Sequence, residues 1–275
     1  YTLEPHREHV FFADRDQLIA SLEEPKSLFD AFATAPLPPS QLASVFIVKG
    51  TQMKNLRPQD WIVRDAVKHE FPGLTHPSRQ ALVVEKYIEH QPAYPFLKAI
   101  EDGLITSQGV LLTRHFPTPL LKRMLLNDQV QRCLKRIYFE TPSASSDIYF
   151  SHEDRAMLVD LAKFGIPVYW VDRASQKILQ YVHKADKDSG LFVPLSLIEE
   201  FRKATVFGVY GSNLQEGSFE TELRTLLEGI LSLRAEASHP LLSRDTPLAL
   251  LTGGGPGAME VGNRVAKSVG ILSCA

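Results

Sequence analysis

The C-terminal part of the chain alternates apolar runs with helical stripes in a fixed order. Thr205-Val-Phe-Gly-Val-Tyr210 is a run of strand type. From Glu216 to Ala237, the residues Phe219, Leu223, Leu226, Leu227, Ile230 and Leu233 recur at spacings of three and four, which predicts a long helix with one apolar face. Ser238 to Pro247 reads as a loop, Leu248 to Thr252 as a second strand and Gly257 to Ser268 as a second helix. Ile271-Leu-Ser273 opens a third strand. The order β-α-β-α-β with nearly continuous apolar strands predicts a parallel sheet buried on both faces.

The pattern before Ala204 is less regular. Leu18, Ile19, Leu22, Leu28, Phe29 and Phe32 suggest helices closed by Pro36-Leu-Pro-Pro39. Val45-Phe-Ile-Val48 fits a strand or a buried helical turn. Residues 56 to 135 read as mostly helical, with stripes at Leu82, Val83, Tyr87 and Ile88 and at Leu120, Leu121, Met124 and Leu125. Prolines at 72, 77, 92, 95, 117 and 119 cut that region into short pieces. Ile137-Tyr-Phe139 and Ile148-Tyr-Phe150 read as strands. Ser151 is placed to cap a helix whose first turn holds His152-Glu-Asp154 and whose apolar face is Met157, Leu158, Leu161 and Phe164. Gly165 ends it, and Ile166 to Val171 is the next strand; Lys184 to Gly190 is a polar loop.

The expectation is therefore an α/β chain in two parts. Residues 1–195 form a helix-rich, mixed α/β N-terminal domain of unassigned role. Residues 196–275 begin a parallel, Rossmann-like sheet that is cut short at Ala275. Tyr1 stands where a starting Met would, and no signal pattern follows it, so the N-terminus reads as a boundary of processing.

Composition narrows the functional classes. Lys plus Arg number 30 and Asp plus Glu 32, a formal net charge of −2, which gives no global attraction to nucleic acid or an anionic membrane. No apolar run approaches the roughly 20 residues of a membrane helix. Cys133 and Cys274 lie far apart and form no disulfide framework, which fits the cytoplasm. They read as small buried apolar residues rather than nucleophiles. His6 and His9 have a metal-compatible spacing without a third ligand, so no metal is expected. Arg114-His115, Lys122-Arg123 and Lys135-Arg136 could form a basic spot or simply be solvated.

Chemistry concentrates at two turns. Gly211-Ser-Asn213 leaves the first strand of the parallel unit, and Gly253-Gly-Gly-Pro-Gly257 leaves the second. Strands that run parallel present their carboxyl ends on one edge, so both turns are predicted to share one crevice. Glycines let the backbone approach a ligand, Pro256 suits the first turn of a helix, and the free amides there attract a phosphate. Ser212 adds a hydroxyl and Asn213 an amide. Glu260 has two readings: an acidic residue stabilised by the helix dipole, or a carboxylate facing a ribose hydroxyl. Arg264 on the same helix reads as solvated.

The stretches Val206-Phe-Gly-Val-Tyr-Gly-Ser212 and Thr252-Gly-Gly-Gly-Pro-Gly-Ala-Met-Glu-Val-Gly-Asn263 resemble the LOG family. Gly253, Gly254, Gly255, Gly257 and Met259 match that family's first glycine motif, and Pro-Gly-x-Met-Glu is similar to its larger bacterial nucleotide nucleosidases. The resemblance implies a phosphoribohydrolase that cleaves a nucleoside 5′-monophosphate to a base and ribose 5-phosphate. It implies a homo-oligomer and no cofactor. Gly211, Ser212, Asn213, Gly253, Gly254, Gly255, Gly257, Met259 and Glu260 would line the ligand. The family's second motif, Pro-Gly-Gly-x-Gly-Thr-x-x-Glu, and its partner arginine are not in these 275 residues, so no catalytic residue is assigned. Val265-Ala-Lys267 also stands where many relatives have Gly-Ala. The same fold resembles non-catalytic nucleotide or cofactor carriers and sensors, which is the rival reading.

Overall fold

The computed structural model describes residues 44–48, 94–104, 107–117, 121–142, 150–184, 190–213, 217–237 and 239–275. The chain is mixed α/β and divides into two compact units between Leu195 and Ser196. The predicted helices over 18–32 and 82–88, and the His6/His9 pair, lie outside the described residues.

The first unit is built on a six-stranded mixed sheet. Its strands are β1 (Ser44–Val48), β2 (Ser107–His115), β3 (Arg136–Thr141), β4 (Val168–Asp172), β5 (Lys177–His183) and β6 (Gly190–Pro194), hydrogen-bonded in that order. β2, β3 and β4 are parallel; β1, β5 and β6 join antiparallel. The helices are α1 (Tyr94–Glu101), α2 (Lys122–Leu125), α3 (Asp128–Cys133) and α4 (His152–Lys163).

Three expectations change here. Ser107–His115 lies in the stretch read as helical, yet it is a nine-residue strand. Its neighbours are strands on both sides, so pairing overrides a short apolar run that has no alternation. Of the predicted strand Ile148–Phe150 only Phe150 lies among the described residues; it is not in a strand and packs edge-on against Phe116 and Phe139 ahead of α4. Phe164, placed on the apolar face of α4, is 56% exposed because it follows the last helical residue.

Other local readings hold. Ser151 caps α4: its hydroxyl accepts from the Asp154 amide at 3.1 Å, and the Asp154 carboxylate accepts from the Ser151 amide at 2.9 Å. This reciprocal pair supplies the polar partners that let Asp154 sit at 4% exposure. Met157, Leu158 and Leu161 join Ile137, Phe139 and Val168 in the core under the helices.

The second unit holds α5 (Ile198–Lys203), β7 (Thr205–Gly208), α6 (Phe219–Leu233), β8 (Leu248–Leu251), α7 (Ala258–Ser268) and β9 (Leu272–Cys274). The sheet order is β7-β8-β9, all parallel. α6 and α7 pack against each other and bury Leu223, Leu227, Leu250, Val265 and Ala266. An Arg224 to Ser268 hydrogen bond of 2.8 Å and an Arg264 to Glu220 ion pair of 2.7 Å stitch the two helices on the outside. Leu226 and Leu233, predicted for the apolar face of α6, are 59% and 69% exposed. The helix is contacted along a narrower stripe than its leucines span.

At the other end of this sheet one side chain organises the loop before β8. Arg234 donates to the carbonyls of Ser243 (3.3 Å), Arg244 (2.7 Å) and Thr246 (2.5 Å). Hydrogen bonds from a charged group contribute roughly 1.5–3 kcal/mol net each, and less at a partly exposed site such as this one. Arg234→Ala is expected to destabilise the chain by about 2 kcal/mol in a urea melt, while Arg234→Lys, which cannot fork to three carbonyls, recovers only part of it. A loss below about 0.5 kcal/mol would mean that the loop holds itself.

Candidate anion site at the carboxyl edge of β7 and β8

β7 and β8 are in register to their ends, with Gly208 opposite Leu251. Val209 continues the pairing by donating to the Leu251 carbonyl at 2.9 Å, and Thr252 donates to the Cys274 carbonyl at 3.0 Å. The turns that follow therefore leave the sheet side by side. They touch: the Ala258 amide donates to the Ser212 carbonyl at 3.2 Å.

The approach is close enough to require glycine on both sides. A Cβ at Gly211 would lie 2.6 Å from the Ala258 Cβ. A Cβ at Gly257 would lie 2.6 Å from both the Asn213 Cα and the Ser212 carbonyl oxygen. Gly257 also has φ 75° and ψ −126°, a backbone region that L side chains rarely adopt. Gly254 has φ 72°, again positive. Part of the glycine content thus serves loop contact. Met259 folds back over the loop, so that a Cβ at Gly255 would meet its Cε at 2.6 Å and one at Gly253 its Sδ at 3.1 Å. Met259 packs the loop from within; that is its place in this site.

The amides divide into used and open. Gly254 donates to the Thr252 hydroxyl at 3.1 Å, and Ala258 is taken by the Ser212 carbonyl. Val261 opens the helical ladder of α7 by donating to the Gly257 carbonyl at 3.0 Å. Among the described residues none accepts from the amides of Gly253, Gly255, Gly257, Met259 or Glu260. These open donors gather at the positive end of an eleven-residue helix whose N-cap side chain is only a hydrogen.

The charged residues on the first turns of α7 pair with each other and with α6. Arg264, read from the sequence as solvated, is 54% exposed; it bonds Glu220 at 2.7 Å and stands 3.9 Å from Glu260. The hydrogen bond from Arg264 holds the Glu220 carboxyl below its ordinary range, and the same bond raises the Arg264 guanidinium. Glu260 keeps 67% of its side chain exposed beside Arg264. Among the described residues no group of His, Cys, Asp and Glu could hold a metal ion. Cys133 and Cys274 are both half-buried and not joined in a disulfide, and the Cys133 thiol donates to the Gln129 carbonyl at 3.3 Å.

Beneath the loop lies a group that the sequence did not single out. Thr252, Asn263 and Ser273 join side chain to side chain across β8, α7 and β9. Asn263 Nδ2 donates to Thr252 Oγ1 at 2.8 Å, and Ser273 Oγ donates to Asn263 Oδ1 at 3.0 Å. A Thr ahead of a glycine run and an Asn on the next helix are the available signals, but neither fixes the pairing without the crossover.

Comparison with protein-family models, with curated proteins and with solved structures finds no match. No helix among the described residues is long and apolar enough to cross a membrane.

Proposed function

We propose that the second unit binds the phosphate of a nucleoside 5′-monophosphate in the manner of a Rossmann-like sheet. The phosphate sits on the open amides from Gly255 to Glu260, with Ser212 and Asn213 at its side. The observation that carries this reading is the direct contact of the two turns, combined with amides at the head of α7 from which no described residue accepts. Helix dipole and amides act together on a dianion and discriminate poorly against its substituent, so the base is read elsewhere.

The catalytic half of the reading rests on the resemblance to LOG phosphoribohydrolases, with release of a base and ribose 5-phosphate by a cytoplasmic homo-oligomer. The position of Glu260, turned to Arg264 and well exposed, favours a positioning role over proton transfer at the loop. The rival reading, a binding or sensing module without hydrolysis, draws on the same fact. Incubation with AMP and assay of released adenine separates the two.

Ser212 offers the most direct test of the binding reading. Its residue is exposed, and its carbonyl already caps Ala258. Ser212→Asp places a carboxylate next to the anion. Two like charges about 5 Å apart at a partly wet surface repel by roughly 1–3 kcal/mol, so AMP affinity is expected to fall at least about tenfold. Ser212→Ala is expected to change it by less than about threefold. Equal affinity in all three proteins, read by calorimetric titration, would place the ligand away from this edge.

A further inference from the structure

We propose that Thr252, fixed by Asn263 and through it by Ser273, is the positioning residue of the glycine loop: it sets phosphate affinity without touching the phosphate. The proposal rests on the phosphate reading of that loop. Thr252 is 5% exposed, so its hydroxyl is withdrawn from solvent. That oxygen accepts two hydrogen bonds, from the Gly254 amide at 3.1 Å and from Asn263 Nδ2 at 2.8 Å. The first bond draws one amide of the loop inward and holds Gly254 at φ 72°. The second ties the hydroxyl to α7, whose first turn carries the open amides.

Ser273 completes the chain from β9. Its hydroxyl reaches Asn263 Oδ1 at 3.0 Å and the Asn263 carbonyl at 3.3 Å. Asn263 therefore has both ends of its amide engaged and one orientation available. The backbone of Thr252 is held as well, through its amide on the Cys274 carbonyl. Three consecutive elements thus fix one hydroxyl, and that hydroxyl fixes the turn. A loop shaped before the ligand arrives loses little entropy on binding, so affinity is gained without a further contact.

The methyl side of Thr252 has a separate task. It faces Gly262, where a Cβ would meet Thr252 Cγ2 at 3.4 Å. Thr252→Val keeps that packing and deletes the acceptor, whereas Thr252→Ser keeps the acceptor and deletes the methyl. The pair separates loop shaping from helix packing.

The test measures dissociation constants of AMP and of adenosine for the full chain and both variants. Thr252→Val is expected to weaken AMP about tenfold or more and to leave adenosine within about threefold, since only the phosphate uses the loop. Thr252→Ser is expected to keep the AMP to adenosine ratio of the wild type. A purely structural role for Thr252 would move both ligands together in Thr252→Val and overturn the proposal. Amide exchange in the unsubstituted chain supplies a second arm that needs no variant. Gly254 is expected to exchange at least about tenfold more slowly than Gly255, and equal rates would also overturn it. Absence of saturable AMP binding by the wild type would defeat the phosphate reading itself, and the positioning role with it. Wild-type binding with an unchanged ratio in Thr252→Val would defeat the positioning role alone.

Discussion

Gly257→Ala is expected to lower AMP affinity by more than about thirtyfold and to destabilise the chain by about 3 kcal/mol. Two separate penalties act. The backbone at φ 75°, ψ −126° is reserved for glycine, and forcing an L residue there costs on the order of 1–3 kcal/mol. The new methyl would also sit 2.6 Å from the Ser212 oxygen and the Asn213 Cα, both main-chain atoms that cannot rotate aside. The turns must separate. With them goes the Ala258 to Ser212 bond that aligns the head of α7. Gly270→Ala is the control. Gly270 also has positive φ (76°), ends α7 in a turn closed by the Ile271 to Ala266 bond, and has nothing within 4 Å of where a methyl would stand. It carries the strain without the collision, so it is expected to cost about 1 kcal/mol and to leave AMP affinity unchanged. If Gly257→Ala behaved like Gly270→Ala in both thermal melts and titration, loop contact would not shape the site.

Phe139→Ala is the second large effect, and it concerns the first unit. Phe139 is fully buried on β3 and has ring neighbours at 5.2 Å (Phe116), 5.7 Å (Phe150), 5.8 Å (Phe192) and 6.2 Å (Trp170). Those rings come from different elements, so they cannot all close over a missing one. Replacing a buried Phe by Ala costs about 3–5 kcal/mol, and edge-to-face pairing adds to the loss. A loss of about 4 kcal/mol by urea denaturation is the expected result. Phe164→Ala, at a position 56% exposed, is expected to change stability by less than about 0.5 kcal/mol. A loss under about 1.5 kcal/mol for Phe139→Ala would show that the cluster can repack.

The two halves of the chain were unequally legible from the sequence, for physical reasons. In the second unit the elements are local. β8 is an uninterrupted apolar run, α7 begins at a glycine turn, and Ser268 and Gly270 mark its end. Each signal sits within a few residues of the element that it defines. The shared edge of the two turns followed from parallel pairing alone, because two adjacent parallel strands leave their loops together.

What escaped is nonlocal. β2 shows no alternation, so its short apolar run Val110-Leu-Leu112 carries no strand period to tell it from a helical stripe. The hairpin of β4 and β5 was missed because its turn has no glycine or proline. Asp172 makes the turn through its carboxylate, which accepts from the Ala174 amide at 3.0 Å, and Gln176 takes the left-handed position at φ 53°. Leu226 and Leu233 obey the helical period, but how much of α6 is covered depends on what packs there. The double duty of the glycines was hidden for the same reason. Gly211 and Gly257 face each other's turns, which no spacing in the sequence reveals.

The most direct test of the central claim is a titration of the full chain with AMP, followed by the backbone amide shifts. Saturable binding is expected, with the largest changes at Gly255, Gly257, Met259 and Glu260, and with Ser212 and Asn213 following the same isotherm. Shifts confined to other residues, or none at millimolar AMP, would contradict it.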